Sequence, residues 1–436
     1  MATTETETTS YAAAPGCLAK PRFLALRLST LIFLGFAILG AWVPVFSLHL
    51  ANLNFSAEAT AWASSTNALG AMVAPLIWGQ IADRWLASER CISLCALASG
   101  ALMWFLASLD EPAAVISVSL LLWFFLIPVL SLTGPFIFRQ LDHPERQYGG
   151  IRLWGTIGWM AASWGLTLWY WTARQQSAEA EVDFADSLRL GGSAAFLVAI
   201  YAWTLPHAPP SPRRHGPASW WVRLADAPLA ALSLFRDRSF RIYGACMFGL
   251  YITMPFTIQL NPLLLKQLGV EGQWLPTYLT AAQTTEVAAL AILPIFLTRL
   301  GLKATMVLGA ASCAGGLLVL AATESVAWAL PALASAGFFI CCFVIAGQVY
   351  VNHRAPRDIR ASAQGVLVFF NGIGLFLGHL LVGWLRNWTG DRYDVAYGIA
   401  GLIATGLTVL FVTCFSPAGS EAKTTRENLV SQPVIP

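Results

Sequence analysis

Among 23 acidic residues, one stands where an acid is costly. Glu286 lies a third to halfway along an apolar run, while the others fall in polar stretches or at the ends of such runs. At the centre of a membrane helix a carboxylate costs about 2.5–3.5 kcal/mol on insertion scales, so its presence needs a reason. Loss of water disfavours the charged form, which suits a group that takes up and releases a proton near neutral pH. The plainer alternative is a neutral glutamic acid that bonds a neighbouring helix. Gln283, three residues earlier, shares its helical face, whereas Thr284 and Thr285 turn elsewhere. An amide beside a carboxyl can read hydroxyls and base edges, or it can simply join two helices.

A second cluster is the run IRLWGTIGW at 151–159. Arg152 and Thr156 are four residues apart and share a face, while Gly155 and Gly158 let another helix come close. The bland reading of Arg152 is a charge that marks the cytoplasmic side. Asn67, Asn261 and Asn371 are isolated amides in apolar runs and read first as packing or gating residues. His379 reads as an interhelical contact rather than a proton relay. Trp42 and Trp159 offer stacking surfaces.

The elements that must hold these groups are membrane helices. Of 436 residues, 57% are hydrophobic and 11% charged, against roughly 25% charged in soluble domains. Mean hydropathy is +0.62. A soluble globule could not cover its surface with so few charges. Apolar runs long enough to cross a hydrocarbon core of about 30 Å number twelve. They lie near 23–50, 59–82, 91–108, 113–137, 151–171, 190–205, 240–265, 275–298, 304–322, 326–351, 361–385 and 394–415. Unpaired backbone is forbidden in lipid, so an all-α membrane protein is expected.

Lysine and arginine set the orientation. With both tails in the cytoplasm, 21 basic residues face inward and five outward, namely Arg174, Arg189, Lys266, Arg386 and Arg392. The chain then divides into a cytoplasmic tail at 1–22, six spans within 23–205, a basic proline-rich linker at 206–239, six spans within 240–415 and a tail at 416–436. A short interfacial helix is expected near Trp220–Phe235. Tight basic turns follow both the second and the eighth span, a weak repeat that implies two six-helix bundles around a midplane cavity. In the first of these turns Gly79 permits close packing, and Asp83 beside Arg84 could form a charged latch between bundles.

Several classes fall away. Net charge is only +3, which makes no case for nucleic acid. The eight cysteines form no CxxC pair, so zinc and redox chemistry have no signature. The chain carries no HExxH helix for a membrane-embedded protease and no GxxxxGK[ST] loop for an ATP-driven pump. No cofactor or metal is expected. The first twenty residues lack a basic-then-apolar pattern and read as a disordered tail rather than a cleaved signal.

The twelve runs, their 6+6 division and the GxxxDR turn resemble the major facilitator superfamily. Within it, GQIADRWL at 79–86, IRLWGTIGW at 151–159, TLPHAP at 204–209, AQTTE at 282–286 and IRASAQG at 359–365 resemble the nucleoside:proton symporter family. That resemblance implies a permease of the inner or plasma membrane carrying a nucleoside with a proton, and a monomer is expected. It also implies that Arg152, Thr156, Gln283 and Glu286 line the substrate cavity, with Glu286 coupling the proton. Thr257 and Asn261 join the substrate-binding candidates. The chain departs from the family pattern at Met254 and Thr257, where some members carry amides, and at Ile340-Cys341, where a Tyr-Asp pair is frequent. A permease for another small polar metabolite such as a sugar, or a uniporter, therefore stays open as the alternative.

Overall fold

The computed structural model describes residues 23–142, 144–176, 182–210, 232–356 and 360–416. Both expected tails, except Ser416, lie outside these residues. So does the expected interfacial helix, apart from a single 3-10 turn at Ser233–Arg236.

No strand occurs among the described residues. The long helices are α1 (Leu24–Asn52), α2 (Ala57–Arg84), α3 (Ser88–Leu106), α4 (Pro112–Gln140), α5 (Pro144–Gln176) and α6 (Ala185–Ala202). After the linker come α7 (Arg238–Gln267), α8 (Gly272–Arg299), α9 (Leu302–Ala322), α10 (Val326–Arg354), α11 (Arg360–Thr389) and α12 (Tyr393–Cys414). Among the described residues, nine helical segments are long and apolar enough to cross a membrane. The other three, α2, α5 and α6, carry more polar residues, and α6 starts five residues before the expected 190–205 run.

Side chains that soluble proteins would hide point outward, as Leu197, Ile200, Trp203, Trp328 and Leu402 do, each more than half exposed. Lipid is the solvent that tolerates them. Inside, buried apolar residues form two clusters. One draws only on α1–α6 and the segment that follows α6. The other belongs mainly to α7–α12 but also takes in Val45, Leu48, Leu166, Tyr170 and Phe184 from the N-terminal helices.

Two helices are broken where the interior needs them broken. Pro44 sits in a 3-10 turn, Val43–Val45, that interrupts α1. In α10 the stretch Ile340–Ile345 is π-helical, a widening that often marks a functional site. At the α8–α9 turn Gly301 has φ +82, a conformation that side chains rarely adopt, so the tight turn after the eighth run depends on glycine.

Candidate functional site

The glycines of α5 determine how near α1 lies. A Cβ at Gly158 would overlap the carbonyl of Phe33, and one at Gly40 would overlap the backbone of Trp159. A Cβ at Gly155 would come within 2.9 Å of both Ile32 and the Arg152 guanidinium. Ser163 locks the contact by donating to the Gly40 carbonyl at 2.7 Å. Backbone-to-backbone packing of this kind is what small residues permit in membranes. It turns Trp159 inward. On the other side, Gly337 of α10 lies against the backbone of Ala282 and Glu286, and Thr285 donates to the Ala334 carbonyl. That contact fixes the rotation of α8 and hence where Gln283 and Glu286 point.

Between these helices is a cavity of about 430 Å³. Ligand pockets commonly span roughly 300–1,000 Å³ and are mostly apolar with a few placed polar groups. This one fits that description. Trp123 of α4 and Trp159 of α5 supply aromatic walls, and Asn67, Thr257, Asn261 and Gln283 supply polar ones. Two of these polar groups are already engaged. Thr257 donates to the Met254 carbonyl at 2.8 Å, and Asn261 accepts from the Tyr397 hydroxyl at 2.7 Å. Two others are not: Gln283 Oε1 and Trp159 Nε1 are buried without a protein partner among the described residues. One accepts and the other donates, so the cavity retains capacity for a ligand with complementary groups.

Glu286 is buried, one turn from Gln283 on α8. Among the described residues no ion pair of Glu286 is found. Arg152 stands over the Phe36 ring, 4.4 Å from its centroid, and lines a smaller cavity of about 90 Å³ between α1, α4 and α5. Neither Arg152, Thr156 nor Glu286 is part of the wall of the larger cavity. The six expected binding residues thus divide. Gln283, Thr257 and Asn261 share one cavity, Arg152 lines the adjoining one, and Thr156 and Glu286 are buried beside them.

The large cavity is closed at one end. There Arg174 donates to Gln273 at 2.8 Å and pairs with Glu271 at 3.4 Å, Lys266 reaches Asn52 at 3.4 Å, and Thr277 donates to Thr167 at 2.9 Å. Each contact joins an N-terminal helix or its loop to a C-terminal one. At the opposite end, Asp83 pairs with Arg139 at 3.3 Å and Asp237 with Arg354 at 2.8 Å, each within one half of the chain. Along the pair α2 and α11, a Cβ at Gly383 would meet Ala61 and one at Gly372 would meet Met72, whereas a Cβ at Gly79 or Gly365 would meet nothing within 4 Å, so the two helices part toward this end. Of the expected latch residues, Asp83 accepts a hydrogen bond from Arg139 of α4, within the N-terminal helices.

A model of the family described as "Nucleoside H+ symporter" matches residues 23–419, nearly the whole chain. The chain belongs to the nucleoside H+ symporter family. Members are permeases rather than enzymes, and this one is an integral, multi-pass membrane transporter of nucleosides coupled to protons. Among its relatives is the putative nucleoside transporter YegT of Escherichia coli, 28% identical over 82% of this chain and 83% of that protein. The xanthosine permease of the same organism is 27% identical over 83% of this chain and 87% of its own length. A crystal structure of the nucleoside transporter NupG superposes with a TM-score of 0.76 at 23% identity, covering 90% of this chain and 99% of that one. A POT family transporter, PepTSo, superposes with a TM-score of 0.64 at 13% identity, covering 95% of this chain and 100% of that one. At these identities the structures speak for the fold alone.

Several wall residues escape sequence reading. Trp123 is hidden in the apolar run LLWFFL, and Cys313 and Ser335 look like ordinary membrane packing residues. No spacing signal could have separated them from their neighbours. Gln259 had a signal, an amide two residues before Asn261 in an apolar run, and it pairs with His379.

Proposed function

We propose that this symporter moves its nucleoside through the 430 Å³ cavity by alternating access, with Glu286 as the group that couples the proton. The scaffold is a twelve-span major facilitator fold, with one six-helix bundle in 23–205, a second in 240–415 and the 206–239 linker and both termini in the cytoplasm. The closed end then faces outward and the splayed end inward. Gln283, Thr257 and Asn261 read the polar edges of the ligand, while Trp123 and Trp159 pack against its flat faces. Closing of the inner end would bring Gly79, Asp83 and Arg84 up to the C-terminal bundle as a latch.

The observation that supports this reading best is the cavity itself. It is mostly apolar, it carries an unpartnered acceptor and an unpartnered donor from opposite sides, and a buried carboxyl lies one turn away. Protonation of Glu286 removes a buried charge and with it the cost of its desolvation. A proton that favours one access state is coupled to a substrate that favours the same state, by reciprocal linkage.

Uptake of radiolabelled nucleosides into proteoliposomes, with and without an imposed pH gradient, tests the reading. Accumulation that follows the gradient is expected. Accumulation that ignores the gradient would contradict it.

A further inference from the structure

Gln259 on α7 and His379 on α11 are both almost fully buried, and they pair through Gln259 Nε2 donating to His379 Nδ1 at 2.6 Å. The same Nε2 lies 3.4 Å from the His379 carbonyl, which identifies it as the donor end of the amide. A ring nitrogen that accepts carries no proton, so the neutral imidazole bears its proton on Nε2. That Nε2 and Gln259 Oε1 have no protein partner among the described residues. On α1, Trp42 Nε1 and Ser47 Oγ are in the same situation, and both residues are more than nine-tenths buried.

All four residues line one small cavity of about 20 Å³. It adjoins the large cavity, sharing Val43, Asn67, Trp123 and Ile258 with it, and lies toward the closed end. Buried polar atoms are rarely left unsatisfied, and a polar site of this volume holds a single water. The chemistry matches that occupant. Trp42 and His379 each present an N–H, Gln259 presents a carbonyl oxygen, and Ser47 presents a hydroxyl that can do either. A water accepts two hydrogen bonds and donates two. A metal cation would meet two N–H groups, and an anion would meet the Gln259 oxygen, so neither complements the set.

We propose that this pocket binds one internal water, which hydrogen-bonds α1 to the Gln259–His379 pair and seals the closed end of the substrate path. A joint made in this way exchanges its water for bulk water on opening and loses few hydrogen bonds. An apolar joint would instead have to expose apolar surface each time. The proposal concerns the gate and stands whichever metabolite is carried.

X-ray radiolytic footprinting of the purified protein tests it, because hydroxyl radicals form at ordered internal waters and oxidise the side chains beside them. Trp42 and His379 are expected to be modified despite their burial, while the comparably buried Tyr243 is spared. Ser47→Ala, which removes only the hydroxyl oxygen, is expected to reduce the modification of Trp42 severalfold with no change in the melting profile. Trp42 and His379 modified no more than Tyr243 would overturn the water site. For the sealing role, the dry pair Gln259→Leu/His379→Leu is expected to slow uptake at least fivefold while binding from the open side is retained. Wild-type uptake by that double variant would overturn it. Footprinting needs no transport substrate, so failure of the water site and failure of the nucleoside reading are told apart.

Discussion

The hydroxyl of Tyr397 on α12 donates to Oδ1 of Asn261 on α7 at 2.7 Å, and both residues are buried. One cavity amide is thus oriented by a helix that contributes nothing to the cavity wall. Tyr397→Phe should leave that oxygen unsatisfied, at a cost of about 1–3 kcal/mol. A lower melting temperature and a severalfold higher half-saturation concentration are expected. An unchanged half-saturation value in a destabilised protein would confine Asn261 to packing.

Gln283 is the cavity amide whose oxygen has no protein partner among the described residues. Gln283→Ala should raise the half-saturation concentration by tenfold or more, which corresponds to about 1.4 kcal/mol of binding. Uptake that is unaffected, with the protein correctly inserted, would return Gln283 to a structural role.

Gly158 has no room for a side chain, because the Phe33 carbonyl occupies the place of a Cβ. Gly158→Ala should push α5 from α1 and destabilise the protein by about 1–3 kcal/mol, the usual scale for overpacking. Since Trp159 is the next residue, binding should weaken together with stability. A thermal-shift assay run with and without nucleoside measures both effects.

The proposed topology puts Asp110 outside and Ser416 inside, and both are exposed in the fold. A membrane-impermeant thiol reagent applied to intact cells should label Asp110→Cys and spare Ser416→Cys. The reverse pattern would invert the orientation, and equal labelling would contradict it.

The helices were legible in the sequence because lipid permits so few alternatives. Length and apolarity mark most runs without any knowledge of packing, although α6 was placed late since its first residues, Ala185–Arg189, are partly polar. Of the cavity wall, Gln283 was legible because polar groups stand out in apolar runs. Trp123, Cys313 and Ser335 were not, for the same reason turned round: side chains at home in membranes give no contrast. The division of Arg152 from the larger cavity was also hidden. It depends on Phe36 holding the guanidinium on the α1 side, a contact 116 residues away along the chain.

The central claim is that Glu286 couples the proton. Glu286→Gln keeps the shape and neutrality of the protonated acid. In proteoliposomes it should bind nucleoside and exchange it across the membrane at rates near wild type, yet fail to concentrate it when an inward proton gradient is imposed. A Glu286→Gln protein that still accumulates nucleoside against its gradient would contradict the account.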